Sequence, residues 1–195
     1  MQHRHKTELT AAEYVKQKAW RSATPPRCLK RCDSLRCGIQ RHGTYSRKTP
    51  CGMRIQRWCC RRCQTTFSAL PDCLASHYRG TLDDLERLAA QIEAAPSIMA
   101  AVVKMHPGCD NPEMIWRRFR RCLDRVHRTL SVLCGLLDPL HGAQPTVLGV
   151  RMHLGSQQVL MRLRNDADAH LGNLLCPVGF RRAQRGYGSQ TGPPH

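Results

Sequence analysis

Long apolar runs are missing from this sequence of 195 residues. Residues 1–27 are polar, and no stretch approaches the roughly 7–15 apolar residues of a secretory signal or the ~20 of a membrane span. We therefore expect a cytoplasmic protein, in which thiols stay reduced or bind metal. The twelve cysteines then favour metal binding, and a set of disulfides is the alternative.

Acidic residues are also scarce, with 14 Asp and Glu against 31 Lys and Arg. Polynucleotidyl transfer needs two or three carboxylates that converge on magnesium ions. The acids at 83, 84 and 86 fit the start of a helix, and Asp166 and Asp168 are two apart on a predicted helix, so they point to different faces. The sequence therefore predicts a protein that is not an enzyme.

Aromatic residues make up only 5% of the chain. No stacking platform for unpaired bases can be identified, and RNA stays open as an alternative to DNA.

The positive charge is unevenly distributed. Residues 1–80 hold 17 Lys and Arg against 4 Asp and Glu, residues 81–138 hold 8 against 8, and residues 139–195 hold 6 against 2. The net charges are thus +13, 0 and +4, which sum to the total of +17. Such a basic region attracts polyanions in a salt-dependent way. A solvated basic surface is the plainer interpretation.

Two close cysteine pairs lie inside the basic region. Cys60-Arg61-Arg62-Cys63 follows Cys28-Leu29-Lys30-Arg31-Cys32 by about thirty residues, and such pairs can place four thiolates around one tetrahedral zinc ion. We predict one structural zinc ion, with no open position for a substrate, bound by Cys28, Cys32, Cys60 and Cys63. Nearby substitutes are Cys37, Cys51, Cys59 and His42. A cluster of metal-free thiols is the alternative.

Short strands are predicted at 43–46, 53–58 and 65–67, with a turn at 49–52. Few large apolar residues accompany them, so this small region needs a metal staple. The preceding residues, 1–26, form a basic segment that is either a frayed tail or holds a short helix over 10–20, with Thr10 and Glu13 as a capping box.

Helices are predicted at 82–94, 98–105 and 111–137. Thr81, Ser97 and Asn111 are their caps, and proline follows Asn111 at the first helical position. The lengths and sharp turns fit a helix-turn-helix, in which the N-terminal part of the last helix reads base edges. The candidate readers are Asn111, Glu113, Met114, Arg117 and Arg118. A plain helical bundle with solvated arginines is the alternative, which the neutral charge of 81–138 favours.

The apolar positions of the third helix recur every three or four residues. They would serve as core or, in a homodimer through 111–137, as an interface; they are Ile115, Phe119, Cys122, Val126, Leu130, Leu133 and Leu137. Additional short helices are predicted within 138–180, and a disordered tail at 181–195.

Several motifs together resemble a known family. They are Arg41-His42-Gly43-Thr44-Tyr45, Arg54-Ile55, Cys60-Arg61-Arg62-Cys63 and Thr66-Phe67-Ser68-Ala69-Leu70-Pro71. They resemble the N-terminal zinc ribbon of bacterial insertion-sequence transposases, and still more a family of short bacterial proteins in which this ribbon precedes helices. The resemblance covers 27–71, continues faintly to about 180, and implies a zinc ribbon, a helix-turn-helix-like region and DNA as ligand. The three-residue gap in the first cysteine pair departs from the usual two, and the sequence has no counterpart of the transposase catalytic domain.

We therefore predict an α+β, mostly α protein, in which a small β zinc ribbon at 27–71 precedes a helix-turn-helix-like region at 80–137. The predicted function is non-catalytic DNA binding, with a transposable-element origin. The expected phosphate contacts are Arg41, Arg47, Lys48, Arg54, Arg57, Arg61 and Arg62. Two further functions stay open, a protein-interaction module that uses the long apolar helix, and an accessory remnant of a transposase that acts with a separate catalytic subunit.

Overall fold

The computed structural model describes residues 1–26, 28 and 38–181. Predicted ligand Cys32 and the predicted disordered tail from 182 onward lie outside these residues. Within them, helices account for 44% of the residues and strands for 17%. The predicted fold class, α+β and mostly α, is confirmed at this level.

Four strands form one sheet in the order β1-β4-β3-β2. They are β1 (Gln2–His5), β2 (Ile39–Ser46), β3 (Arg54–Cys60) and β4 (Thr66–Pro71). Strands β2, β3 and β4 pair antiparallel, and β1 pairs parallel with β4. The last three strands match the predicted ones, whereas β1 was not predicted, because its sequence, Gln-His-Arg-His, has neither β-branched residues nor apolar alternation.

The first 26 residues pack on this sheet. Helix α1 (Ala11–Lys16) begins with the predicted capping box, in which Thr10 and Glu13 bond reciprocally. Tyr14 and Trp20 are buried and pack with apolar residues of the sheet and of the segments beside its strands. Those partners are Met53, Ile55, Leu70, Cys73 and Leu74. The N-terminal segment therefore supplies an edge strand and part of the core, as well as charge.

Five further helices follow the sheet. They are α2 (Leu82–Glu93), α3 (Ile98–Met105), α4 (Pro112–Leu136), α5 (Val147–Leu154) and α6 (Val159–Asp166). The first three begin after Thr81, Ser97 and Asn111, whose side chains cap them as predicted. In the described part of the chain no single helix meets the length and apolarity needed to span a membrane, and α2 with α3 meets them jointly but is bent by 119°.

The apolar side of α4 is buried in the protein's own core. Its fully or nearly fully buried positions are Phe119, Cys122, Val126, Leu130 and Leu133, and they pack against the other helices. The predicted apolar side chains of this helix therefore form part of the core of the same chain. The exposed apolar side chains on α4 are different ones, namely Met114, Val132 and Leu136.

Two buried carboxylates on α2 cap helices far along the chain. Glu86 accepts hydrogen bonds from the backbone amides of Val159 and Leu160 at 3.1 and 2.8 Å, and Arg151 donates to it at 2.8 Å. A carboxylate at a helix N-terminus satisfies free amides and the helix dipole together. Helix α6 is thus fixed to α2 by an acid 73 residues earlier.

Glu93 does the same for α5. It accepts from the amides of Val147 and Leu148, each at 2.9 Å, and its Oε1 lies 2.8 Å from Nε2 of His127. Burial by itself would raise the pKa of Glu93. The hydrogen bonds from His127, Leu148 and Val147 outweigh it, so the pKa is lowered.

Replacing Glu93 with Gln is expected to lower the free energy of unfolding by about 2 kcal/mol near neutral pH, because two capping bonds lose their charged acceptor. A lowered folded-state pKa gives stability that is present above the ordinary pKa of 4.5 and is lost as pH falls through the folded value. The difference between wild type and variant should therefore shrink below that pH. Urea titrations at several pH values would measure it. Glu113→Gln, at an exposed surface pair, is the matched control, and an equal loss in both variants would contradict the capping role.

Candidate metal centre and basic surface

The second cysteine pair lies in a tight turn at the end of β3. The amide of Gln64 donates to the carbonyl of Cys60 at 2.9 Å, and the amide of Cys60 donates to the carbonyl of Thr65 at 3.0 Å. Gln64 has a positive φ of 54°, a conformation that reverses the chain locally. This turn directs the Cys60 and Cys63 side chains to the same side.

Three cysteine thiols converge at this turn. The Sγ atoms of Cys28, Cys60 and Cys63 all lie within 4.8 Å of one another, and those of Cys28 and Cys63 are 3.6 Å apart. A tetrahedral zinc site with Zn–S bonds of about 2.3 Å has sulfur atoms separated by about 3.8 Å. The separation of 3.6 Å is close to this value, and all three thiols are near enough to one another to bind a single metal ion. We call these three residues the cysteine centre.

The cysteine centre contains three of the four predicted zinc ligands. The fourth, Cys32, lies outside the described residues, and so does Cys37. Three residues that the sequence offers as substitute ligands do not join the centre. The Cys59 thiol is directed to the carbonyl of Cys60 at 3.7 Å, and Cys51 and His42 are exposed.

An apolar cluster covers one side of the cysteine centre. Cys60 is completely buried, and Cys28 and Cys63 are half-buried. The cluster around them consists of Ala23, Ile39, Trp58, Phe67 and Ala69. Exclusion of water from thiolate ligands is typical of structural metal sites, in which every coordination position belongs to the protein.

The predicted phosphate contacts are divided into two groups by exposure. Five are exposed, and two are half-buried. The exposed ones are Arg41, Lys48, Arg54, Arg61 and Arg62. Arg41 also stacks over the ring of Trp58 at 5.5 Å, and Arg61 donates to Gln40 at 2.6 Å, so the sheet holds both in place.

The half-buried pair, Arg47 and Arg57, has internal partners. Arg47 donates to the carbonyls of Ala75 and Tyr78, and burial lowers its pKa. Arg57 donates to Thr66 at 3.4 Å. Arg47 thus connects the end of β2 to the segment that leads into the helices.

The candidate base readers on α4 have structural partners as well. Oδ1 of Asn111 caps the helix by accepting from the amide of Met114 at 3.0 Å, and Arg117 pairs with Glu113 at 2.6 Å. Arg118 is exposed and has no hydrogen bond or ion pair among the described residues. Bidentate recognition of adenine by Asn111 would require the cap to open.

A cleft of about 1100 Å³ lies beside the N-terminal segment and α2. Several of its acids already have partners within the protein. Asp72 pairs with Arg4 at 2.6 Å, Asp84 caps α2 as predicted, and Glu86 caps α6. Glu86 therefore caps a distant helix, whereas the sequence suggested that it belongs to the start of α2.

Comparison with protein-family models, with curated proteins and with solved structures found no match. The function of the chain is therefore inferred from its own residues.

Proposed function

We propose that this protein is a non-catalytic DNA-binding protein whose sheet region is stabilised by one structural zinc ion. The observation that carries the proposal is the convergence of Cys28, Cys60 and Cys63 at sulfur separations suited to tetrahedral zinc. The fourth ligand is the sequence-predicted Cys32. Zinc in such a site holds the turn together and takes no part in chemistry.

The charge around this centre supports DNA as the ligand. Residues 1–80 have a net charge of +13, and five of the predicted contacts on the sheet and its turns are exposed. Basic residues on a fixed scaffold position phosphates without reading sequence. Binding of this kind is dominated by counterion release. The proposed transposable-element origin rests on the resemblance of residues 27–71 to transposase zinc ribbons.

Affinity for duplex DNA is expected to fall steeply with salt. The five exposed contacts of the sheet region alone give a slope of about −4.5 in a plot of log K against log salt, which is about a 500-fold loss between 50 and 200 mM salt. Fluorescence anisotropy with a labelled 20-base-pair duplex would measure the slope. An affinity that does not change over this range, or no binding at 50 mM salt, would contradict the proposal.

A protein-interaction module is the second candidate. Val132 and Leu136 are 46% and 38% exposed, and their spacing of four residues places them on one face of α4. Dimerisation that depends on concentration, in a protein that does not shift DNA, would favour this function. Sedimentation velocity with and without duplex separates the two candidates.

A further inference from the structure

One side of α4 bears a continuous series of arginines. At 100° per residue, the five arginines fall within an arc of about 100°, beside the buried apolar face. They are Arg117, Arg118, Arg121, Arg125 and Arg128, and all are exposed. We call this series the arginine face.

The arginine face is not neutralised by acids on the same helix. Helix α4 has six arginines and only Glu113 and Asp124 as acids, a net charge of +4. Glu113 pairs with Arg117, at the first position of the face. Among the described residues, Asp124 has no ion pair, and the guanidinium groups of Arg118, Arg125 and Arg128 have neither an ion pair nor a hydrogen bond. Their guanidinium groups are therefore available to an external anion.

The net charge of zero over residues 81–138 gave no indication of this positive face. Glu86 and Glu93 are buried as caps, and Asp83 and Asp84 pair with Arg87 on α2. Four of the eight acids in this segment are therefore bound by groups other than the arginine face. The neutrality that favoured a plain helical bundle does not describe the surface of α4.

The arginine face adjoins the basic part of the sheet region at Tyr78. The carbonyl of Tyr78 accepts a hydrogen bond from Arg47, and its hydroxyl donates to Sγ of Cys122 on α4 at 3.4 Å. Arg118 and Arg125 are close enough to Tyr78 to lower the pKa of its phenol, although burial outweighs them and the net shift is upward. Tyr78 thus contacts both Arg47, next to the end of β2, and the middle of α4.

We propose that the arginine face binds the phosphate backbone of duplex DNA along the length of α4. This inference rests on the proposed function and adds a second contact surface to the exposed basic residues of the sheet region. From Arg117 to Arg128 the helix extends about 16 Å, and over that length one DNA strand presents about five phosphates. Arginine forms bidentate bonds with phosphate oxygens. The contact is sequence-independent, in contrast to base reading by the N-terminus of α4.

The test uses the full zinc-loaded chain and a random-sequence 20-base-pair duplex. In the variant Arg118→Gln/Arg121→Gln/Arg125→Gln, the slope of log K against log salt should weaken by about 2.7. The affinity loss between 50 and 200 mM salt should then be about 40-fold smaller than in the wild type. Glutamine is a good helix former at exposed positions, and a melting curve checks that the fold is retained.

Two controls separate charge at this face from total charge. Arg87→Gln/Lys104→Gln/Arg162→Gln removes the same charge from exposed positions on α2, α3 and α6 and should leave the slope close to that of the wild type. Arg118→Lys/Arg121→Lys/Arg125→Lys keeps the charge and should keep most of the slope. An equal decrease of the slope in the glutamine variant and in the α2, α3 and α6 control would overturn the inference, because only the net charge of the protein would then matter.

Failure of this inference differs from failure of the proposed function. If the wild type binds duplex DNA and the glutamine variant keeps its affinity and slope, the arginine face is not the contact, and DNA binding itself stands. If the wild type does not bind duplex DNA at 50 mM salt, both the proposed function and this inference are contradicted. Tighter binding to a duplex RNA of the same length, with the same dependence on the arginine face, would overturn DNA as its ligand.

Discussion

Replacing Cys60 and Cys63 together with serine is expected to abolish metal binding and unfold the sheet region. The two thiols lie with Cys28 at zinc-like separations, and serine does not replace a thiolate ligand. Zinc contributes about 10–16 kcal/mol to folding in zinc-finger peptides, as much as the whole stability of a typical domain. Atomic emission spectroscopy would show that zinc is absent, and hydrogen exchange would show that the amides of β3 and β4 have lost their protection.

The matched control is the Cys51→Ser/Cys109→Ser variant. Cys51 is exposed and Cys109 half-buried, and neither belongs to the cysteine centre. This variant should keep its metal and its exchange protection, because substitutions away from the core usually change stability by less than about 0.5 kcal/mol. Equal protection of β3 and β4 in both double variants would show that the sheet is stable without the centre.

Replacing Arg164 with Met is expected to lower the free energy of unfolding by about 4 kcal/mol or more. Arg164 is fully buried and donates to the carbonyls of Asp72 and Leu74 at 2.8 and 2.7 Å. It also donates to the carbonyls of Pro177 and Val178 at 2.8 and 3.0 Å. Methionine would leave the carbonyls of Asp72, Leu74 and Val178 unpaired, at about 1–3 kcal/mol for each buried group, whereas the carbonyl of Pro177 would keep its bond from the amide of Ser76. Burial lowers the pKa of Arg164 to about 10, so the side chain is still charged at neutral pH.

Arg162→Met, two residues earlier on the same helix, is the control. Arg162 is exposed, and its separation from Asp166 is 3.7 Å, so the loss should be within about 0.5 kcal/mol. The loss in the free energy of unfolding for Arg164→Lys should lie between those of the two methionine variants, since an ammonium group has three donors for four carbonyls. Urea titration gives all three values. Similar midpoints for Arg162→Met and Arg164→Met would contradict the role of Arg164 in joining the two segments.

Local signals predicted much of this fold. Thr10 with Glu13, Thr81 with Asp84, and Asn111 before a proline each start a helix where the sequence places it. These interactions span three residues, so they can be recognised from short patterns. The turn that brings Cys60 near Cys63 is equally local. For the same reason, the pairing of Cys60 and Cys63 in one centre was predictable from their spacing.

Long-range partners were not predictable. Strand β1 is polar, and it pairs with residues 66 positions later in register, while Arg4 pairs with Asp72. Arg164 would be placed at the surface by any hydrophobicity pattern, because buried arginines are rare. Glu86 and Glu93 gave no sign that they cap helices more than 50 residues away. In each case a polar group is satisfied by a partner that only the folded chain supplies.

Metal content is the most direct test of the central claim. The wild-type chain should be purified under reducing conditions without added metal, and its zinc should be measured per chain. The account predicts about one equivalent, because the cysteine centre and one further cysteine make a single four-thiolate site. A chain that retains no metal and whose Cys28, Cys60 and Cys63 react freely with a thiol reagent would contradict it.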